Sequence, residues 1–285
     1  MKLIIGIIVV LGSVAGGFVL SHGHLAALWQ PYELLVIGGA GVGALIIANP
    51  AKIMKAVLRD FLRSLKATPY NKKMYMNMLA LMYDIFVKAR KDGLITFDAD
   101  VENPHESALF TRYPAILKNH HVLDFVTDYL RMMVSGNLNA MQLEDLMSIE
   151  LDSHHEESHY PDTAVTQLAD GLPAFGIVAA VLGIIITMGA LGGKTEEIGA
   201  HVAAALVGTL LGVLLAYGFV APIAASMSHI ANDESLFFKS IKTCLVAFLN
   251  GYAPPVAVEF GRKAIPSTER PSFKELEEYL KSERA

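Results

Sequence analysis

The chain has 285 residues, of which 53% are hydrophobic and 18% charged, which is too apolar for an ordinary soluble globule of this length. Its formal net charge of −5 lacks the basic excess that a phosphate-binding surface needs, so a nucleic-acid partner is excluded. The single cysteine, Cys244, cannot close an internal disulfide and reads as a reduced thiol on the cytoplasmic side.

Crossing hydrocarbon takes about 20 helical residues, because every backbone amide must find its partner within the segment. Four stretches qualify. Leu3 to Ser21 is uncharged; Leu34 to Ala51 follows Glu33; Gly171 to Gly193 lies between Asp170 and Lys194; and no Asp, Glu, Lys or Arg occurs from Ile198 to Asn232. Trp29 and Tyr32 precede the second stretch as interfacial anchors. An alternative for the first stretch is a cleaved signal peptide, although it is long for one.

Lys52, Lys55, Arg59, Arg63 and Lys66 follow the second span at once, whereas His22 to Tyr32 holds no Lys or Arg. The positive-inside rule therefore places both termini and the segment from about 52 to 169 in the cytoplasm. The fold class expected is an all-α membrane protein: four transmembrane helices with a large helical cytoplasmic domain. Its divisions are 1–51 (spans one and two), 52–169 (cytoplasmic helices), 170–225 (spans three and four) and 226–285 (a cytoplasmic C-terminal region).

Within the cytoplasmic segment, Met74, Met78, Leu81, Met82, Ile85 and Phe86 recur at helical spacing up to Gly93. Asn103-Pro104-His105-Glu106 has the chemistry of a helix start, so a helix is expected from about 104. Another runs from about Val122 to Val134 and stops at Gly136; the next runs from about Ala140 to near Ser158, closed by Pro161. Beyond the fourth span, Phe237, Phe238, Ile241, Leu245 and Leu249 continue an apolar stripe to Asn250-Gly251. Pro254-Pro255 reopens a helix through Lys263, and Ser272-Phe273-Lys274-Glu275 is a capping box for a last one.

The spans are rich in small residues, and the Gly39/Gly43 and Gly208/Gly212 pairs have the spacing that lets helix backbones approach in lipid, within one chain or between copies. None of the four stretches contains an Asp, Glu, Lys or Arg, so if ions cross here another chain supplies the carboxylate. Thr187 and Thr209 are candidate hydroxyl ligands for such a path, with bonding to their own helix carbonyls as the plainer reading. Pro173 reads as a proline at a helix start, whereas Pro222 falls inside an apolar helical run and marks a hinge. His155-Glu156-Glu157-Ser158-His159 matches the H-E-x-x-H pattern of zinc hydrolases, but its neighbours are acidic, Pro161 follows and no third ligand is evident. No metal or cofactor is therefore assigned. Arg90, Asp98 and Glu150 lie on cytoplasmic segments, where most charges simply solvate a helix face.

Six segments carry a resemblance: Leu172-Pro173-Ala174-Phe175-Gly176-Ile177-Val178, Val207-Gly208-Thr209, Leu215-Ala216-Tyr217-Gly218-Phe219, Asn250-Gly251-Tyr252-Ala253-Pro254-Pro255, Glu259-Phe260-Gly261-Arg262-Lys263 and Glu269-Arg270-Pro271-Ser272-Phe273. With these, nearly the whole chain resembles the MotA family, membrane subunits of the bacterial flagellar stator. The resemblance implies a bacterial inner-membrane protein, not an enzyme, forming a ring of five chains around two copies of a single-span MotB partner whose aspartate carries protons. It implies that Arg90 and Glu150 meet the rotor protein FliG, and Asp98 stands where the family has glutamate, one methylene shorter. Pro173 and Pro222 match the prolines that couple ion flow to movement, while Ala180 and Thr209 look like the proton-driven branch. The alternative is an energiser of outer-membrane transport like ExbB or TolQ, relatives that generally have three spans and lack the patterns at Pro222 and Glu269-Arg270-Pro271.

Overall fold

The computed structural model describes residues 2–136, 138–192 and 194–282, and among these no strand occurs. The helices are α1 (Lys2–Leu20), α2 (Pro31–Ala48), α3 (Ala51–Ser64), α4 (Lys72–Asp92), α5 (Asp98–Glu102), α6 (Pro114–Leu117), α7 (His120–Ser135), α8 (Ala140–Gly189), α9 (Thr195–Leu215), α10 (Ala221–Leu249), α11 (Pro254–Ala264) and α12 (Phe273–Ser282). A π-helical turn, Ala216–Val220, joins α9 to α10. Contacts divide the chain into two units, one holding residues up to Ala67 with Ser158–Ile230 and the other Thr68–Glu157 with Ala231 onward.

The first unit holds the apolar helices. Four helical stretches are long and apolar enough to cross a membrane. Ile4, Ile5, Ile8 and Val9 on α1 are exposed, a surface that water would oppose and lipid tails accommodate. Pro31 opens α2 at its first turn, where a missing N–H costs nothing, so the helix begins three residues before the sequence boundary and takes in Glu33. Ile37, Gly41 and Leu45 bury one face of α2. The Asn49 side-chain amide donates to the Leu45 carbonyl at 2.9 Å and closes that helix before Pro50.

Helices α8 and α9 meet through glycine. A methyl group at Gly176 would lie 3.0 Å from the Gly212 Cα, and one at Gly183 would lie 2.9 Å from the Ala205 Cβ. The sequence's Gly208/Gly212 pair is thus used within the chain, while Gly39 and Gly43 on α2 meet nothing within 4 Å.

The second unit is a helical core built on α4. Its N-cap is Asn71, whose side chain accepts from the Met74 N–H at 3.1 Å, and Gly93 ends it at φ 85°. The methionine and leucine stripe of α4 is buried against α7, α10 and α11 residues. Phe86 stacks on Phe248 with centroids 4.4 Å apart, and Phe237 packs against both Tyr70 and Tyr75. Asn119 caps α7 and Gly136 ends it in the left-handed region at φ 66°. The Ser272–Glu275 capping box forms as expected, with Glu275 N–H donating to Ser272 Oγ and Ser272 N–H to Glu275 Oε2.

The motifs of the C-terminal region are staples of this unit. Arg262 is 6% exposed, pairs with Glu259 through two nitrogens at 2.6 Å each, and donates to the Pro271 carbonyl at 2.8 Å. Arg270 donates to the Ile265 carbonyl, and Glu269 accepts the Lys72 backbone N–H.

Three expectations about helix punctuation fail. No helix starts at 104: Glu106 and Ser107 N–H both return to the Asn103 carbonyl, and Ser107 Oγ turns to Asp100. Pro114 biases Tyr113 away from helix, which leaves too few residues before it to propagate one. Pro161 does not close a helix, because α8 continues through both Pro161 and Pro173 for 50 residues. Next to Pro161, the Asp162 carboxylate accepts the Thr163 N–H and pairs with His159, giving the disturbed turn local partners. Pro173 accordingly sits inside a helix rather than at the start of one.

Candidate functional site

In the membrane unit, two of the three candidate path residues, Ala180 and Thr209, lie where α2, α8 and α9 approach. Gly208 is buried, and a methyl group there would lie 3.3 Å from Ala179 Cβ, 3.4 Å from Glu33 Cγ and 3.5 Å from the Ala180 backbone nitrogen. Ala180 is therefore beside Gly208, and Thr209 follows next in α9 with an exposed side chain. Thr187 is apart from them: it is buried, and its hydroxyl donates to the Gly183 carbonyl at 2.8 Å. That bond occupies its proton and leaves only a lone pair for any ligand.

Pro222 acquires a local cause. Its ring would clash with the carbonyl four residues earlier, Gly218, and the helix widens at that place into the π turn Ala216–Val220, with Ala221 N–H reaching back to the Ala216 carbonyl. The sequence signal for this turn is the proline after Tyr217-Gly218, read as a hinge without its geometry.

In the second unit, Arg90 is exposed in the last turn of α4, and no ion pair joins it among the described residues. Asp98 is exposed and opens α5, one short 3₁₀ turn (Leu94–Phe97) beyond α4. Nearby, Lys88 pairs with Asp100. Glu150 is exposed on α8, with its Oε2 accepting from the buried Tyr129 hydroxyl at 2.6 Å. Burial first, then that bond and the adjacent carboxylates, raise the Tyr129 pKa well above the ordinary tyrosine range, so it donates at every physiological pH. Tyr129 was missed because a buried tyrosine on an apolar stripe looks like core.

The H-E-x-x-H residues do not converge. His155 Nδ1 is hydrogen-bonded with Ser235 Oγ at 3.0 Å, and His159 Nδ1 with Asp162 Oδ2 at 2.9 Å. Among the described residues no group of three or more His, Cys, Asp or Glu is placed to hold a metal ion.

These features define a class: a helical, multi-span membrane subunit whose long apolar stretches are nearly free of Asp, Glu, Lys and Arg. Sequence profiles narrow it, with "Motility protein A N-terminal" matching residues 4–93 and "MotA/TolQ/ExbB proton channel family" matching residues 118–239. Motility protein A of Salmonella typhimurium is 45% identical over 100% of this chain and 96% of its own length. That of Escherichia coli is 44% identical over 99% and 96%, and chemotaxis protein LafT of Vibrio parahaemolyticus 35% over 98% of each. The solved flagellar MotAB stator complex from Bacillus subtilis superposes with a TM-score of 0.73 at 26% identity, covering 94% of this chain and 96% of that one. C. jejuni MotAB, at 18% identity, shares the fold with a TM-score of 0.79 over 95% and 98%. The chain belongs to the Motility protein A family of flagellar stator subunits, within the MotA/TolQ/ExbB proton channel family, which is a channel family rather than an enzyme family.

Proposed function

We propose that five copies of this chain surround two copies of a single-span MotB-type partner in the bacterial inner membrane, with both termini in the cytoplasm. The observation that carries this reading is that the apolar stretches of α8 and of α9 running into α10, from Gly171 to Gly192 and from Ile198 to Asn232, hold no Asp, Glu, Lys or Arg. Helices of that kind hold lipid and each other but cannot pass a proton alone, so the partner's aspartate is the carrier.

Protons pass beside Ala180 and Thr209, with Thr187 further along the same pair of helices. Neutralising the partner's aspartate removes its need for polar surroundings and alters how it packs against α8 and α9. Pro173 in α8 and Pro222 at the start of α10, each lacking a backbone donor, are the places where the helices bend at least cost. The ring turns, and Arg90, Asp98 and Glu150 press on charged residues of the rotor protein FliG. Single exposed ion pairs are weak, about 0–1 kcal/mol, so torque draws on several contacts and falls with ionic strength. The chain works as a channel subunit without cofactor, metal or catalytic chemistry of its own.

Arg90→Glu tests the rotor contact. Swimming is expected to be impaired and partly restored by charge reversal on the facing FliG residue; unchanged motility contradicts the assignment.

A further inference from the structure

Helix α3 opens two residues after α2 ends, across Asn49 and Pro50, both in extended conformation. That link reaches about 10 Å at most, and the headgroup layer beyond the hydrocarbon is about 5–8 Å thick, so α3 begins at the membrane surface. The helix does not then run off into water. Val57, at its middle, packs on the cluster of Val165, Ala224 and Met227, and the last two lie inside the run from Ile198 to Asn232 that holds no Asp, Glu, Lys or Arg. Both the start and the middle of α3 are thereby held at the level of the lipid boundary.

The face of α3 turned away from that packing is bare. Leu58 and Leu62, one helical turn apart, are 62% and 52% exposed. Lys55 is exposed one turn before them on the same line, Lys66 is exposed just past the helix end, and Lys52 and Arg59 are exposed alongside. The one carboxylate on α3, Asp60, is engaged by Arg59 Nε at 2.8 Å and by Arg63 at 3.5 Å. No ion pair joins Lys52, Lys55 or Lys66 among the described residues.

Water opposes the leucines, and a protein surface that covered them would have to pair or desolvate the neighbouring ammonium groups as well. A phospholipid surface meets both demands: acyl chains take the leucines, and phosphates take the ammonium groups, whose long stems reach up to them. A free phosphate ion would leave the leucines bare. A zwitterionic headgroup brings its own cation to its phosphate, whereas an anionic one leaves a charge for lysine to answer.

We propose that α3 is a docking surface for anionic phospholipid: Leu58 and Leu62 enter the acyl boundary while Lys52, Lys55 and Lys66 hold headgroup phosphates of the cytoplasmic leaflet. This rests on the membrane placement proposed above and is independent of torque. The lipid composition of that leaflet then decides how firmly the subunit is seated.

The experiment uses the complex with its single-span partner in phosphatidylcholine nanodiscs carrying a trace of spin-labelled phosphatidylglycerol or spin-labelled phosphatidylcholine. The wild type is expected to hold the anionic probe about fivefold over the zwitterionic one at about 0.1 M salt, the scale of one basic residue at such a surface. Most of that preference should vanish at about 1 M salt, where charges act over only about 3 Å. Neutralising Lys52, Lys55 and Lys66 together to Gln should bring the ratio near one, and an unchanged ratio overturns the proposal. A second readout does not need that variant to assemble: a nitroxide at Leu58→Cys should meet oxygen more readily than a water-soluble nickel chelate. The reverse order shows a solvated face, and exclusion of both with spin–spin broadening shows a second copy seated there; either result overturns the proposal alone. If an impermeant maleimide reaches Leu58→Cys from outside intact spheroplasts, the membrane placement falls and takes this proposal with it.

Discussion

Gly176 on α8 and Gly212 on α9 touch backbone to backbone: a methyl group on Gly212 would come within 2.8 Å of the Gly176 Cα and 2.9 Å of the Leu172 carbonyl oxygen. In lipid there is no hydrophobic drive between helices, so this close approach, with its dispersion contacts, is what holds the pair.

Gly212→Ala is therefore expected to destabilise the membrane unit by about 1–3 kcal/mol, the usual cost of overpacking a tight contact. Gly43→Ala, where nothing lies within 4 Å in the chain itself, should leave the isolated subunit unchanged. Thermal unfolding in detergent compares the two; equal melting temperatures would show that the glycine contact is not tight.

Cys244 and Gly261 make a second contact of this kind. A methyl group on Gly261 would fall 2.0 Å from Cys244 Sγ, and burial pushes the thiol up to about 12, partly opposed by a hydrogen bond from the Gly261 backbone. At pH 8 the thiol should resist alkylation in the folded chain and react on unfolding. Gly261→Ala should lower stability, and Cys244→Ala should relieve part of that loss, a coupling that a double-mutant cycle measures.

How far the sequence reached depends on whether local chemistry or packing decides. Gly93, Gly136 and the Ser272–Glu275 box are local devices, and they stand where the sequence puts them. Pro161 and Pro173 are overridden because α8 is held along its length by neighbours, so the loss of a donor bends a helix rather than ending it. Glu33 was legible in principle, since Pro31 at N1 starts the helix early enough to include it. Its approach to Gly208 was not, because only the fold brings the two together. Likewise nothing in the sequence ties Tyr129 to Glu150, 21 residues away.

Tyr129→Phe should remove the donor that fixes Glu150. The stability loss is expected to be about 1 kcal/mol, since Glu150 is exposed and water replaces the phenol. If Glu150 is a rotor contact, swimming should weaken although every charge is retained; unchanged swimming with the expected loss of stability would restrict the pair to a structural role.

Acid should loosen the C-terminal helix in a defined window. Lys72, first, and Ser272 hold the Glu275 carboxyl down from its ordinary 4.5 to about 2. Arg262 likewise lowers the Glu259 carboxyl. A depressed carboxyl contributes stability above its unfolded value and loses it as pH falls through its folded one, so α12 should keep its full docking at pH 5 and be loosened between about 4.5 and 2. Limited proteolysis across that range checks it: Glu275→Gln should make α12 protease-sensitive already at pH 5, and a pH-independent cleavage pattern would count against the linkage.

The most direct measurement is the phenotype of a clean gene deletion, scored for swimming and for flagellar filaments in the same cells. A stator subunit predicts paralysed cells with intact filaments, rescued by this chain only when the single-span partner is present. Normal swimming, or an outer-membrane transport defect in place of paralysis, would contradict it.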